Sequence, residues 1–242
     1  VLPYVINLLI CLPAVLLVAG APETRHASAP HGSLLSDLKI PAMRQHRFWF
    51  VVAPSAPWVF GCAASSYAIL PALMADVVGP DYGIAFSGLM CLVGLGCGFF
   101  IQPLGRHLDR DGSIRSLAVG MVAVILGMLT AVASAATLNI LMVLAASAVL
   151  GCGYGLVLVS GLQEVQRIAR PDDLAGLTAV FYSLTYVGFF VPMVLALIAR
   201  FTSYPWLFAS GAVIAALCLG VMAYGRRHEV RDLDALEAAA AR

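Results

Sequence analysis

The sequence has little charge and almost no lysine. Only 11% of its 242 residues are charged, where a soluble domain of ordinary composition has roughly 25%, and Lys39 is the single lysine. Because 61% of the residues are hydrophobic, this deficit excludes an ordinary soluble enzyme, and it also excludes a disordered chain, which requires low hydrophobicity. The net charge of +1 provides no basic excess, so we expect no nucleic-acid partner.

The few charges are unevenly distributed along the chain. Six intervals contain no Asp, Glu, Lys or Arg, and the shortest has 22 residues, whereas a helix needs about 20 apolar residues to cross a bilayer. The longest has 48 residues, enough for two crossings, with a polar break near Ser134 to Asn139. The sequence therefore predicts an all-α polytopic membrane protein with about seven transmembrane helices, whose expected partner is the lipid bilayer. The intervals are residues 1–22, 48–75, 82–105, 116–163, 174–199 and 201–225.

The basic residues indicate how the chain is oriented in the membrane. Thirteen of the 14 fall in segments on one side of the predicted spans, and only Arg200 falls on the other. Cytoplasmic loops are enriched in Lys and Arg, so segment 23–47, the loop 106–115 and the tail 226–242 are predicted to be cytoplasmic. We expect a multi-pass protein of the cell membrane with an external N-terminus and a cytoplasmic C-terminus.

Groups that could support catalysis or bind a metal are scarce in the predicted spans. There is no HExxH, no GxSxG and no pair of aspartates at membrane depth. All six cysteines fall within spans without CxxC or Cys/His spacing, so we interpret them as packing residues. The glycine pairs Gly94/Gly98 and Gly151/Gly155 would allow helix backbones to approach closely. We expect no catalytic residue, no metal, no cofactor and no enzyme activity.

One short loop between predicted spans carries the most specific pattern, G-R-H-L-D-R-D-G from Gly105 to Gly112. The two glycines permit a tight reversal of the chain. Asp109 precedes the next helix, where it can cap free N–H groups or pair with Arg110 or Arg115. The simpler alternative is a solvated charged turn.

This loop resembles the cytoplasmic motif G-x-x-x-D-R-x-G of the major facilitator superfamily, in which basic residues normally follow the second glycine. Here Ser113 and Ile114 follow it, and the nearest cation is Arg115, which is typical of the weaker form between helices eight and nine. Segment 176–192 also resembles the eleventh helix of bacterial members. The resemblance implies four segments: helix six at 1–22, the central cytoplasmic loop at 23–47, the C-terminal six-helix bundle at 48–225 and a cytoplasmic tail at 226–242.

Members of the superfamily are secondary transporters in which two six-helix halves rock around a site at mid-membrane. The resemblance therefore implies transport of a small-molecule solute by alternating access, with residues 105–115 acting as a gating loop. By the same alignment the first five helices are missing, and they are a further expected partner. A seven-helix receptor or sensor and an inert truncated product are the alternatives.

Polar and aromatic side chains within the spans are the candidates for a solute cavity. Tyr182 and Tyr186 are four residues apart and share one helix face, although the simpler interpretation of both is an interfacial aromatic or an interhelical hydrogen bond. The predicted spans hold no ionisable residue deep inside, which favours a neutral or amphiphilic solute. The cavity candidates are Trp58, Ser66, Tyr67, Tyr154, Tyr182 and Tyr186. The charged residues at span edges are Asp76, Asp81, Glu164 and Arg200.

Overall fold

The structure, a computed structural model, describes residues 2–22, 45–108, 114–170 and 173–240. The chain divides into two units, residues 1–39 and residues 40–242. All the regular structure in the described ranges is helical. Most of the predicted central loop, residues 23–44, lies outside the described residues.

The first unit contains helix α1, Leu2–Ala19, which corresponds to the first predicted span. It has 18 residues, which are predominantly apolar with Asn7 among them, and no charged residue interrupts them. At 1.5 Å per residue the helix is about 27 Å long, slightly shorter than a hydrocarbon core of about 30 Å.

The second unit contains six helices that are long and apolar enough to cross a membrane. With α1 they confirm the predicted all-α fold, as six spans and one shorter apolar helix among the described residues. The last helix continues through Ala240, so the predicted boundary between bundle and tail at residues 225–226 does not coincide with a helix end. The six helices are α2 (Phe48–Leu73), α3 (Gly83–Leu108), α4 (Arg115–Thr137), α5 (Ile140–Ile168), α6 (Leu174–Ile198) and α7 (Tyr204–Ala240, with its apolar part at Tyr204–Arg227).

The longest charge-free interval divides where its polar residues predict. Helix α4 ends at Thr137, and the next residue, Leu138, has a φ of 48° in the left-handed region, which turns the chain. Asn139 then caps α5, because its side-chain oxygen accepts hydrogen bonds from the backbone N–H groups of Leu141 (2.9 Å) and Met142 (3.3 Å). The break predicted between Ser134 and Asn139 is confirmed.

Among the described residues, two π turns and one 3-10 turn lie within the spans, and each ends two residues before a proline. Proline has no N–H to donate to the carbonyl four residues earlier, so the helix widens or tightens where that bond is missing. The turns are the π turns Phe48–Val52 and Ser65–Ile69 in α2 and the 3-10 turn Val187–Phe190 in α6, and the prolines are Pro54, Pro71 and Pro192.

Helix α5 lies at the centre of the second unit, with α2, α3, α4 and α6 packed against it. Its glycines make this possible. A Cβ on Gly155 would overlap the backbone carbonyl of Gly98, and one on Gly151 would overlap that of Gly94, so α3 and α5 are in backbone contact. The predicted packing role of the two small-xxx-small pairs is confirmed.

Candidate functional site

The structure describes the two ends of the predicted gating loop. Gly105 lies at the end of α3, where a Cβ would stand 2.7 Å from Val159 and 3.3 Å from Leu156 of α5, so the glycine allows these helices to meet. Arg115 is the first residue of α4. We call this end of the bundle the motif end. Asp109, Arg110 and Gly112 lie outside the described residues, and the predicted capping or pairing of Asp109 stays a prediction.

A buried carboxylate lies at the motif end and was not among the predicted site residues. Glu164, near the end of α5, is only 1% exposed. Its Oε2 accepts a hydrogen bond from Nε of Arg47 and faces a second guanidinium nitrogen of Arg47, each at 2.9 Å. Its Oε1 accepts from Arg167 at 2.8 Å. Each carboxylate oxygen is thus paired with a different arginine. These ion pairs offset the desolvation penalty of the buried charge.

A second bond joins the same two segments. The side-chain amide of Gln45 donates to the carbonyl of Ile168, the last residue of α5, at 3.1 Å. The final carbonyls of a helix have no partner within the helix, so this bond satisfies one of them. We call Gln45, Arg47, Glu164, Arg167 and Ile168 the clasp, because they hold the start of α2 against the end of α5.

Three of the predicted cavity residues, Tyr154, Tyr182 and Tyr186, lie together. They are joined by Phe60 and Phe189, which the sequence did not predict. The Phe60 ring is 4.4 Å from that of Phe189 and 5.3 Å from that of Tyr186, nearly parallel to both, and 6.4 Å from that of Tyr154. Tyr182 and Tyr186 are 6.3 Å apart, as their spacing predicts. We call these five rings the aromatic face.

Glycines hold the aromatic face in place. The Tyr154 ring lies directly over Gly98, where any Cβ would collide with it. Gly188 in the 3-10 turn of α6 touches the backbone of α2, since a Cβ there would overlap the carbonyl of Pro57 and the nitrogen of Gly61. This contact brings α6 close enough for its rings to stack on Phe60. Tyr186 is 52% exposed and Phe189 44% exposed, so part of the stack is accessible.

The remaining three cavity candidates have different surroundings. Tyr67 is half-buried and lies in the second π turn of α2, Ser65–Ile69. Ser66 is buried and shares a 2.6 Å hydrogen bond with Ser147, so its hydroxyl joins α2 to α5. Trp58 lines a separate cavity, considered below. It is two residues from Phe60, about 200° around the helix, and therefore lies on the other side of α2.

Six membrane-length helices, one of them the glycine-rich central helix α5, with a clasp at one end and an aromatic face, define a polytopic helical membrane protein. The family model of the Major Facilitator Superfamily matches residues 2–192 and, in a second alignment, residues 59–240. The chain belongs to the major facilitator superfamily and is one of its transporters. Searches of curated proteins and of solved structures gave no match.

Proposed function

We propose that the protein moves a small solute across the cell membrane by alternating access, and that the solute contacts the aromatic face. The supporting observation is the depth of the rings. Phe60, Tyr154 and Tyr186 each lie within one residue of the midpoint of their span, in α2, α5 and α6 respectively. Secondary transporters bind their solute near mid-membrane between two helical halves, and this face lies at that level.

The composition of the aromatic face indicates the solute class. It offers five rings and three tyrosine hydroxyls, and none of its residues is charged. Aromatic rings bind flat apolar groups by stacking, and hydroxyls orient polar substituents. The buried Glu164 lies at the motif end, ten residues along α5 from Tyr154, and both its oxygens are paired with arginines. The face therefore favours a neutral or amphiphilic solute with a planar part.

Flux measurements would test this proposal. The protein is reconstituted in proteoliposomes and assayed against a panel of neutral, cationic and anionic solutes. For a solute that is carried, Phe60→Ala and Tyr186→Ala are each expected to raise KM roughly 2- to 12-fold, since one aromatic contact contributes about 0.5–1.5 kcal/mol. Phe201→Ala removes a ring that is 90% exposed and outside the face, and it should leave KM unchanged. If Phe60→Ala and Tyr186→Ala leave KM at the value of the parent protein, as Phe201→Ala should, the solute does not contact the aromatic face.

We place the motif end, and with it the C-terminus, in the cytoplasm. Arg47, Arg115 and Arg167 lie at this end, whereas Arg200 lies in the turn between α6 and α7 at the opposite end. In a cysteine-free background, Ser203→Cys should react with a membrane-impermeant maleimide on intact cells. Arg170→Cys should react only after permeabilisation. The reverse pattern would invert this orientation.

The gating loop is proposed to hold helix ends together in one state of the transport cycle, through Asp109, Arg110 and Arg115. Asp109→Asn removes the charge and keeps the shape of the side chain. We expect it to lower the transport rate while membrane insertion, measured by the amount of protein in washed membranes, stays the same. A transport rate equal to that of the parent protein would assign the loop to the alternative of a solvated turn.

A further inference from the structure

A cavity lies on the other side of α2 from the aromatic face. It has a volume of about 350 Å³, is lined by α2, α4, α6 and α7, and opens at the protein surface. Its floor includes Trp58 of α2 and Met128 of α4, and its walls include Val194 of α6 and Leu207 and Ile214 of α7. We call it the α6–α7 crevice.

The crevice offers hydrocarbon and almost no polarity. No charged residue is among its described lining residues, and two serines line it. Both are already hydrogen-bonded within their own helices: Ser65 donates to the carbonyl of Gly61 and Ser210 to that of Leu207, each at 2.7 Å. Apolar cavities take up apolar molecules, and a volume of about 150 Å³ already holds benzene. The occupant that fits is therefore a hydrocarbon chain.

The position of the crevice along the spans defines one leaflet. On α6 its lining runs from Val187, next to the midpoint of the span, to Ile198, the last residue. On α7 it begins at Leu207, three residues after the start of the helix. The crevice thus occupies the half of the membrane near the α6–α7 turn. Val194 and Ile214 are partly exposed at its mouth, where a chain from that leaflet would enter.

A cation lies at the level where the headgroup of such a lipid would be. Arg200 is exposed in the turn between α6 and α7, two residues beyond Ile198. Trp206 is also exposed there, as is typical of side chains at the membrane–water interface. Arginine binds phosphate oxygens through paired N–H groups. A phosphate at the turn and a hydrocarbon chain beneath it match the charge and the polarity of this side of the protein.

We propose that the α6–α7 crevice binds one acyl chain of a phospholipid from the leaflet next to the α6–α7 turn, with Arg200 pairing with the lipid phosphate. This binding site is separate from the aromatic face and does not depend on transport. The lipid fills the space between α6 and α7 and so supports α6 from the side opposite the solute.

Quenching of Trp58 fluorescence by brominated lipids tests the proposal directly. Trp49 and Trp206 are replaced by phenylalanine in the full chain, so that Trp58 is the single fluorophore. The chain is reconstituted with increasing fractions of phosphatidylglycerol brominated in its acyl chains. We expect saturable quenching that is half complete at a mole fraction below about one tenth, since a site fills before the bulk bilayer does. Quenching that rises only in proportion to the bulk fraction would overturn the proposal.

Two matched pairs of variants distinguish the crevice from the general lipid surface. Gly211→Leu places a side chain at the crevice beside Met128, whereas Gly220→Leu lies on the same helix with no atom within 4 Å of its Cβ. Val194→Phe fills the mouth, whereas Val213→Phe lies outside the lining and is 60% exposed. Saturable quenching should fall at least about twofold in Gly211→Leu and Val194→Phe and persist in both controls. Equal quenching in both members of each pair would exclude the crevice.

The headgroup contact has its own measurement. Brominated diacylglycerol has the same chains as brominated phosphatidylglycerol but no phosphate. We expect it to need at least a threefold higher fraction for half-quenching, and Arg200→Gln should abolish that difference. If diacylglycerol quenches as well as phosphatidylglycerol in the parent chain, Arg200 does not bind a phosphate and the proposal fails in this form. Displacement of either lipid by a transported solute would instead make the crevice part of the solute path.

Discussion

Replacement of Glu164 by alanine is expected to destabilise the protein by about 3 kcal/mol. Removing one partner of a buried ion pair typically costs about 3–5 kcal/mol, because the other partner is left without compensation. Here the lower end applies, since the side chains of Arg47 and Arg167 are 24% and 30% exposed and recover part of their hydration. The measurement is the free energy of unfolding in mixed detergent micelles, followed by circular dichroism.

A matched set of variants separates the ion pairs from the loss of any carboxylate. Asp81→Ala removes an exposed acidic residue from the turn between α2 and α3 and should change the unfolding free energy by less than about 0.5 kcal/mol. Arg47→Ala and Arg167→Ala, each combined with Glu164→Ala, show how much each arginine contributes to the unfolding free energy through its ion pair with Glu164. If Glu164→Ala behaves like Asp81→Ala, the clasp does not stabilise the folded protein.

The clasp shows why a buried charge escapes prediction from sequence. Glu164 follows a charge-free interval of 48 residues and precedes Arg167 by three positions, so it looks like a solvated residue at a span edge. Its burial depends on Arg47, which is 117 residues away in the sequence. The available local signal was the Glu164/Arg167 spacing, which allows a helical ion pair but does not indicate burial.

The spans were more predictable, because bilayer thickness constrains the length of an apolar helix. The charge-free intervals 48–75 and 174–199 differ from the observed spans Phe48–Leu73 and Leu174–Ile198 by two residues or fewer at each end. Charged residues are costly in hydrocarbon, so they mark where a crossing ends. The end of α7 was not predictable in this way, because a helix continues into water without any penalty of that kind.

The candidate site was predictable only in part. The spacing of Tyr182 and Tyr186 places them on one face, and the structure agrees. Phe60 and Phe189 were missed, because a phenylalanine within an apolar span looks the same whether it faces lipid or stacks on a tyrosine. Ser66 was selected as a polar side chain within a span, and its bond to Ser147, 81 residues away, was not visible in the sequence.

The largest packing effect is expected at the contact between α3 and α5. Gly155→Ala adds a single methyl group, which would overlap the backbone carbonyl of Gly98. A side chain would move aside, but two helix backbones must separate along the whole contact. Overpacking usually costs about 1–3 kcal/mol, and a backbone clash of this kind belongs at the upper end, about 3 kcal/mol. The free energy of unfolding in mixed micelles measures it.

Gly96→Ala is the matched control, since it lies on α3 and nothing is within 4 Å of its added Cβ. Alanine favours a helix over glycine by about 1 kcal/mol, so this variant should be neutral or slightly more stable.

The clash in Gly155→Ala also predicts a functional consequence, because Gly98 supports the Tyr154 ring. Separating α3 from α5 should therefore raise KM for the transported solute in Gly155→Ala and leave it unchanged in Gly96→Ala. Loss of stability without a change in KM would show that the aromatic face does not depend on the packing of α3 against α5.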